Sequence, residues 1–242
     1  GKIYVAGGTK DWTDQNTLEM YDPSSDTWTY KAPMSVYRVG AGYGVIDEKL
    51  YVVGGRNSSW SPLSSLEIYD PVSNSWSSGA SMPTPSIGPA SAVVDGRLYI
   101  IGGVDNSYGN SLDVMEVYDP GTDTWDILTS MPTARGNGIT AQAINGKIYV
   151  AGGAETPMDP VDKLEVYDPL TDTWETKASM PEALMGMSST ESDGMMLIVG
   201  GTDKFGWPVA DTSYYDPEND SWHTFNNIPL ELHRSSQGFR TL

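Results

Sequence analysis

The residues best suited to chemistry in this chain are arginines and loop aromatics. There are six arginines against a formal net charge of −18. Arg38, Arg135 and Arg234 each stand just before a run of small residues, and Arg56 directly follows Gly54-Gly55. A guanidinium is a planar fork of donors that matches a carboxylate. Four of them converging on one face of an acidic protein point to recognition of an acidic peptide or protein segment. Trp12, Trp60, Tyr108, Phe205 and Trp207 lie in polar stretches such as RNSSWSPLSS. Such a segment cannot bury its own ring. Exposed rings stack on sugars or hold peptide side chains, which adds a glycan as a second class of ligand. Tyr37 and His233, next to Arg38 and Arg234, join the same candidate set.

Catalytic chemistry has little to stand on. The chain has no cysteine, which excludes thiolate nucleophiles, disulfides and thiolate metal sites. His223 and His233 are its two histidines and form neither a zinc motif nor a triad. Asp11, Asp14, Asp105, Asp113, Asp203 and Asp211 could supply a carboxylate to a bound sugar, but no pair stands out. No cofactor motif is present: the glycine pairs end strands, open no helix and lack the phosphate-loop lysine. The aspartates around the Asp-Pro turns lack the ligand series of a calcium loop. The reading is a chain without cofactor or metal, leaning away from an enzyme.

These residues are positioned by a repeat. A glycine pair closes an apolar run five times, as YVAGG at 4–8, YVVGG at 51–55, YIIGG at 99–103, YVAGG at 149–153 and LIVGG at 197–201. A second signature follows each pair: LEMYDPSSDTW ending at Trp28, LEIYDPVSNSW at Trp76, MEVYDPGTDTW at Trp125, LEVYDPLTDTW at Trp174 and TSYYDPENDSW at Trp222. Successive tryptophans are 48, 49, 49 and 48 positions apart. The GG runs and the Leu-Glu-x-Tyr stretches have strand character, and Asp-Pro-x-x-Asp/Asn is a tight turn into a third strand. Small-residue runs such as GAGYGVI at 40–46 supply a fourth, suited to a crowded central axis. Four strands in roughly 50 residues make a propeller blade. The expectation is an all-β chain, one domain over 1–242, with five four-stranded antiparallel blades. The repeats run at about 1–47, 48–95, 96–145, 146–193 and 194–242. Residues 234–242 would pair beside the first strand and close the ring, which removes open sheet edges; a fragment of a larger ring is the alternative.

The GG, Tyr and Trp spacing is the signature of the kelch repeat, and the chain resembles kelch β-propellers over essentially its whole length. The fifth copy departs most, with Thr212, Ser213 and Tyr214 in place of the Leu/Met-Glu-hydrophobic stretch. In Kelch-like substrate adaptors, arginines at corresponding places bind acidic peptides, and GGRNSS resembles that stretch. The resemblance also allows the opposite reading, in which an arginine before the inner strand pairs with a blade carboxylate. Glu19, Glu67, Glu116 and Glu165 recur at one repeat position and are expected to hydrogen-bond within the blade. Kelch copper oxidases need a Tyr–Cys crosslink, which the composition excludes. Sialic acid mutarotases of the fold keep a carbohydrate reading open. A bare scaffold, natural or engineered, is the third reading.

Composition bounds the partners. A pI near 4.2 opposes binding to nucleic acid and to anionic membranes. No apolar run approaches the length of a membrane span. The expected form is a monomer. The first residues, GKIYVAGG, have neither initiator Met nor leader and read as a mature or trimmed product. Acidity without cysteine leans towards an extracellular or periplasmic setting, with the cytoplasm as the alternative.

Overall fold

The computed structural model describes residues 1–106 and 109–225. Every regular element among them is a strand. They form five antiparallel sheets and two small hairpins. Blade two is typical: inner strand Gly42–Ile46, then Lys49–Val53, Leu66–Asp70 and outer strand Ser75–Gly79, each paired with the next. Blades three, four and five repeat this order from Ala90, Thr140 and Ser188. Blade one contributes Ile3–Ala6, Leu18–Asp22 and Thr27–Lys31. The expected closing strand at 234–242 lies outside the described residues. Blades two to five each take their inner strand from the end of the preceding sequence repeat, so the repeat and the blade are offset by one strand.

The inner strands carry small residues because neighbouring blades nearly touch there. A Cβ added at Gly44 would lie 2.6 Å from Val93 Cγ2 and 2.8 Å from Leu98 Cδ1. Away from the axis the blades diverge and larger side chains fill the wedge. Between blades three and four these include Ile101, Met115, Val117, Ile148, Val150 and Tyr167.

The Asp-Pro turn is a clasp to the preceding blade. Trp76, Trp125, Trp174 and Trp222 donate their indole N–H to the carbonyls of Ala32, Ala80, Thr129 and Ala178, at 2.7–2.8 Å. The turn residues Asn74, Asp123, Asp172 and Asp220 accept the backbone N–H of those same four residues. Each also accepts the hydroxyl of its own blade's tyrosine, Tyr69, Tyr118, Tyr167 or Tyr215. One residue just after the outer strand of blades one to four is thus held at both its N–H and its C=O by the next blade. Each such bond contributes about 1 kcal/mol net. The repeated Asp, Tyr and Trp are accounted for by the ring.

Candidate functional site

Strand direction puts the GG-to-Leu-Glu connections and the blade-to-blade connections on the same face. Five GG loops crown it. Loops two and five share one construction. In loop two, Asn57 N–H donates to Ser61 O and Trp60 N–H to Asn57 O, while Asn57 Oδ1 accepts from the N–H groups of Ser59 and Ser61. In loop five, Asp203, Phe205, Gly206 and Trp207 repeat every one of these bonds. Trp60 therefore occupies the position of Gly206. Both are left-handed, at φ +62° and +78°. Gly206 takes this conformation freely, whereas Trp60 must be held there against its own Cβ. Loops one and four do the same in hairpin turns: Trp12 is at φ +62° and Met158 at φ +71°. Three loop tips thus present a large apolar side chain from a backbone position that disfavours one. Such local strain is concentrated at functional sites.

The tips are exposed. Trp12 is 99% accessible, and Trp60, Phe205, Trp207, Met158 and Tyr37 are about half exposed or more. Neighbouring tips touch. A Cβ at Gly206 would lie 3.2 Å from Met158 Cε, and one at Gly109 3.0 Å from Pro157 Cγ, so loops three, four and five are contiguous. Loops one and two are joined by Arg56. Its guanidinium pairs with both oxygens of Asp14, at 2.7 and 3.3 Å, and its Cζ lies 3.7 Å over the Trp60 ring. Cation–π stacking and the ion pair together fix that indole. Lys204 lies over Phe205, 5.3 Å from its centroid, and exposed Lys10 shares the hairpin of Trp12.

Arg38 and Arg135 are elsewhere, and this corrects the expectation that they face a ligand. Their exposures are 1% and 0%. Arg38 Nη1 donates to the carbonyls of Gly54 and Ser65, and Nη2 to Ser65 Oγ and, at 3.1 Å, to Glu67 Oε2. Arg135 Nη1 donates to Gly152 and Lys163, and Nη2 to Glu165 Oε2 at 2.8 Å. Burial draws both guanidinium pKa values down and the facing glutamates oppose that shift; an arginine stays charged regardless. Each pair bolts one blade from within. The reading that Glu67 and Glu165 bond inside the blade accounts for these arginines, because the residue before the inner strand turns its side chain inward.

Of the expected site residues, Trp12, Trp60, Phe205, Trp207 and Tyr37 are exposed on the loop face, and Arg56 lies beneath Trp60, largely buried. Tyr108, His233 and Arg234 lie outside the described residues. Met158 was missed, though it follows its glycine pair at the same offset as Trp60 and Gly206.

A family model described as Attractin/LZTR1 beta-propeller matches residues 3–240. Three curated relatives match shorter stretches. Kelch-like ECH-associated protein 1A of Danio rerio is 37% identical over 59 residues, covering 23% of this chain and 10% of that protein. The influenza virus NS1A-binding protein homolog of Mus musculus is 42% identical over 55 residues, 23% of this chain and 9% of that protein. Kelch repeat and BTB domain-containing protein 12 of Homo sapiens is 36% identical over 66 residues, 22% of this chain and 10% of that protein. The matched stretch thus spans about a tenth of the length of each relative. A solved structure titled "Structure of YjhT" superposes with a TM-score of 0.81 at 17% identity, covering 93% of this chain and 81% of that one.

Proposed function

The chain belongs to the Attractin/LZTR1 β-propeller family, of kelch type, and from that premise we propose that it is a protein-binding scaffold that grips an acidic peptide or protein segment on its loop face. The observation that carries this is Trp60. A large aromatic is held in a left-handed backbone position that the sister loop gives to glycine, with a guanidinium stacked beneath it. The aromatic tips supply the contact area, as anchors of interfaces commonly do. Arg56, Lys204 and Lys10 place a cation beside the aromatics of loops two, five and one on a strongly acidic chain. Arg56 is already paired with Asp14, so it stiffens Trp60 more than it attracts an acid.

Trp60→Gly tests this cleanly, because glycine is native to the same turn in loop five. An acidic-peptide display library and a glycan array would be screened against the parent chain. The strongest binder would then be titrated against the variant and across salt. The reading requires a loss of at least about tenfold in affinity, with thermal stability kept or raised, and binding that weakens with ionic strength. Unchanged affinity would refute it. Salt-independent binding of a neutral glycan would transfer the same face to carbohydrate.

A further inference from the structure

Blades two and four close their inner ends with a buried arginine on a buried glutamate. Blade five has lost both members together, with Leu184 and Ser213 at the two positions. Blade three keeps the glutamate, Glu116, and has Ser86 where the arginine belongs. The register leaves no ambiguity. Gly55 N–H donates to Ser86 O as Gly8 does to Arg38 O and Gly103 to Arg135 O. Ile87 then bridges to Val104 as Val39 does to Arg56. Gly102 N–H donates to Val114 O as Gly54 does to Ser65 O and Gly152 to Lys163 O. The carbonyls that receive the guanidinium in blades two and four therefore have counterparts in Gly102 and Val114.

Blade three keeps the counterparts of the oxygens that receive a guanidinium in blades two and four. Glu116 and Ser86 are each 1% exposed, and Glu116 Oε1 and Ser86 Oγ have no hydrogen-bond partner among the described residues. Glu116 Oε2 receives a long contact, 3.4 Å from Thr84 N–H, and the Thr84 hydroxyl also acts on the carboxylate. In blades two and four the corresponding oxygens are met by Ser35 N–H and Thr133 Oγ1 at 2.7 Å as well as by the arginine. A buried carboxylate without a counter-charge is costly. Blade five demonstrates that this scaffold can drop the charge altogether.

We propose that blade three binds a small monovalent cation at the place the guanidinium takes in blades two and four. Its ligands are the Glu116 carboxylate, the Ser86 hydroxyl and the carbonyls of Gly102 and Val114. One negative charge among neutral oxygens balances a single positive charge. Divalent cations of the oxygen-liganded type call on more carboxylates than this pocket offers. Sodium, potassium and ammonium share the required chemistry, and all bind to the folded state alone.

The test is thermal unfolding of the full chain in chloride salts at equal ionic strength, comparing sodium, potassium and ammonium with tetramethylammonium, which is too bulky for the site. At concentrations ten- to hundredfold above the dissociation constant, the best-fitting cation is expected to raise Tm by roughly 3–10 °C over tetramethylammonium, with saturation. Ser86→Arg supplies the guanidinium from the chain. It is expected to abolish the cation dependence and to melt at or above the saturated parent. Glu116→Gln is expected to abolish it as well. Equal melting in all four chlorides would overturn the proposal, as would a cation ranking that persists unchanged in Ser86→Arg.

Discussion

Replacing Arg135 by Met separates two roles an arginine at this position can have. Methionine is of similar length, so the substitution removes charge and donors with little loss of packing volume. Glu165 would then keep Thr133 Oγ1 on Oε1 but lose the counter-charge of Arg135, with its side chain 2% exposed. The carbonyls of Gly152 and Lys163 would lose their donors from Nη1. Breaking a buried pair from one side costs about 3–5 kcal/mol. At about 2–4 °C per kcal/mol for a chain of this size, Tm should fall by roughly 6–20 °C. The double variant Arg135→Met/Glu165→Leu removes both charges, and it should recover most of the loss, since apolar replacement of a buried pair is often neutral or stabilising. Circular dichroism melts and urea titrations of the four corners of this cycle give the coupling directly. Peptide affinity of Arg135→Met, measured below its melting transition, should match the parent. A Tm loss under about 2 °C together with weakened peptide binding would refute the blade-bolt assignment and return Arg135 to the ligand.

Other outcomes follow from the same geometry. Glu48 holds φ +61° in the two-residue turn that blades three, four and five build with Gly96, Gly146 and Gly194. Glu48→Gly should therefore stabilise by about 1 kcal/mol, read as a rise in urea midpoint at unchanged m-value. The clasp makes stability depend on acid. Asp172 is held below the ordinary carboxylate range by the Tyr167 hydroxyl and then by Thr129 N–H. Asp123 and Asp220 are lowered chiefly by Ala80 N–H and Ala178 N–H. The unfolded chain binds protons at these groups first, near pH 4. Their contribution is thus complete above that pH and is lost as pH falls through the lower folded values. Asp172→Asn should melt lower at neutral pH and show a shallower fall of Tm below about pH 4. Glu116, raised by burial while no cation is bound, acts with the opposite sign, favouring the folded state towards acid.

The blades were legible because their determinants are local and repeated five times. The GG pair, the Asp-Pro turn and the aromatic after it each carry a backbone or packing requirement readable from one residue type. The small-residue strands were legible for the same reason, since Gly42 and Gly44 answer a crowding that any propeller axis imposes. Arg38 and Arg135 were not legible as to direction. A guanidinium before an inner strand can reach outward to a ligand or inward to a glutamate about 30 residues away, and that choice is made by tertiary register. A clue did exist: blade five gives up the arginine position and the glutamate together. Trp12 and Trp60 could be placed on loops from the polarity of their neighbours. Their left-handed backbone could not, because it shows only when Trp60 is set beside Gly206 in a shared turn.

The one-way reach of the Trp and Asx side chains gives the ring a built-in polarity. Modules two to five each carry the hand that grasps their predecessor, which offers it chiefly main-chain atoms. During synthesis, a newly made module can therefore fasten to one already in place without waiting for anything downstream. Loss of the last module leaves Ala178 with an idle amide and carbonyl that water can satisfy. Loss of the first strands the indole of Trp76 and the amide oxygen of Asn74 over an uncovered flank.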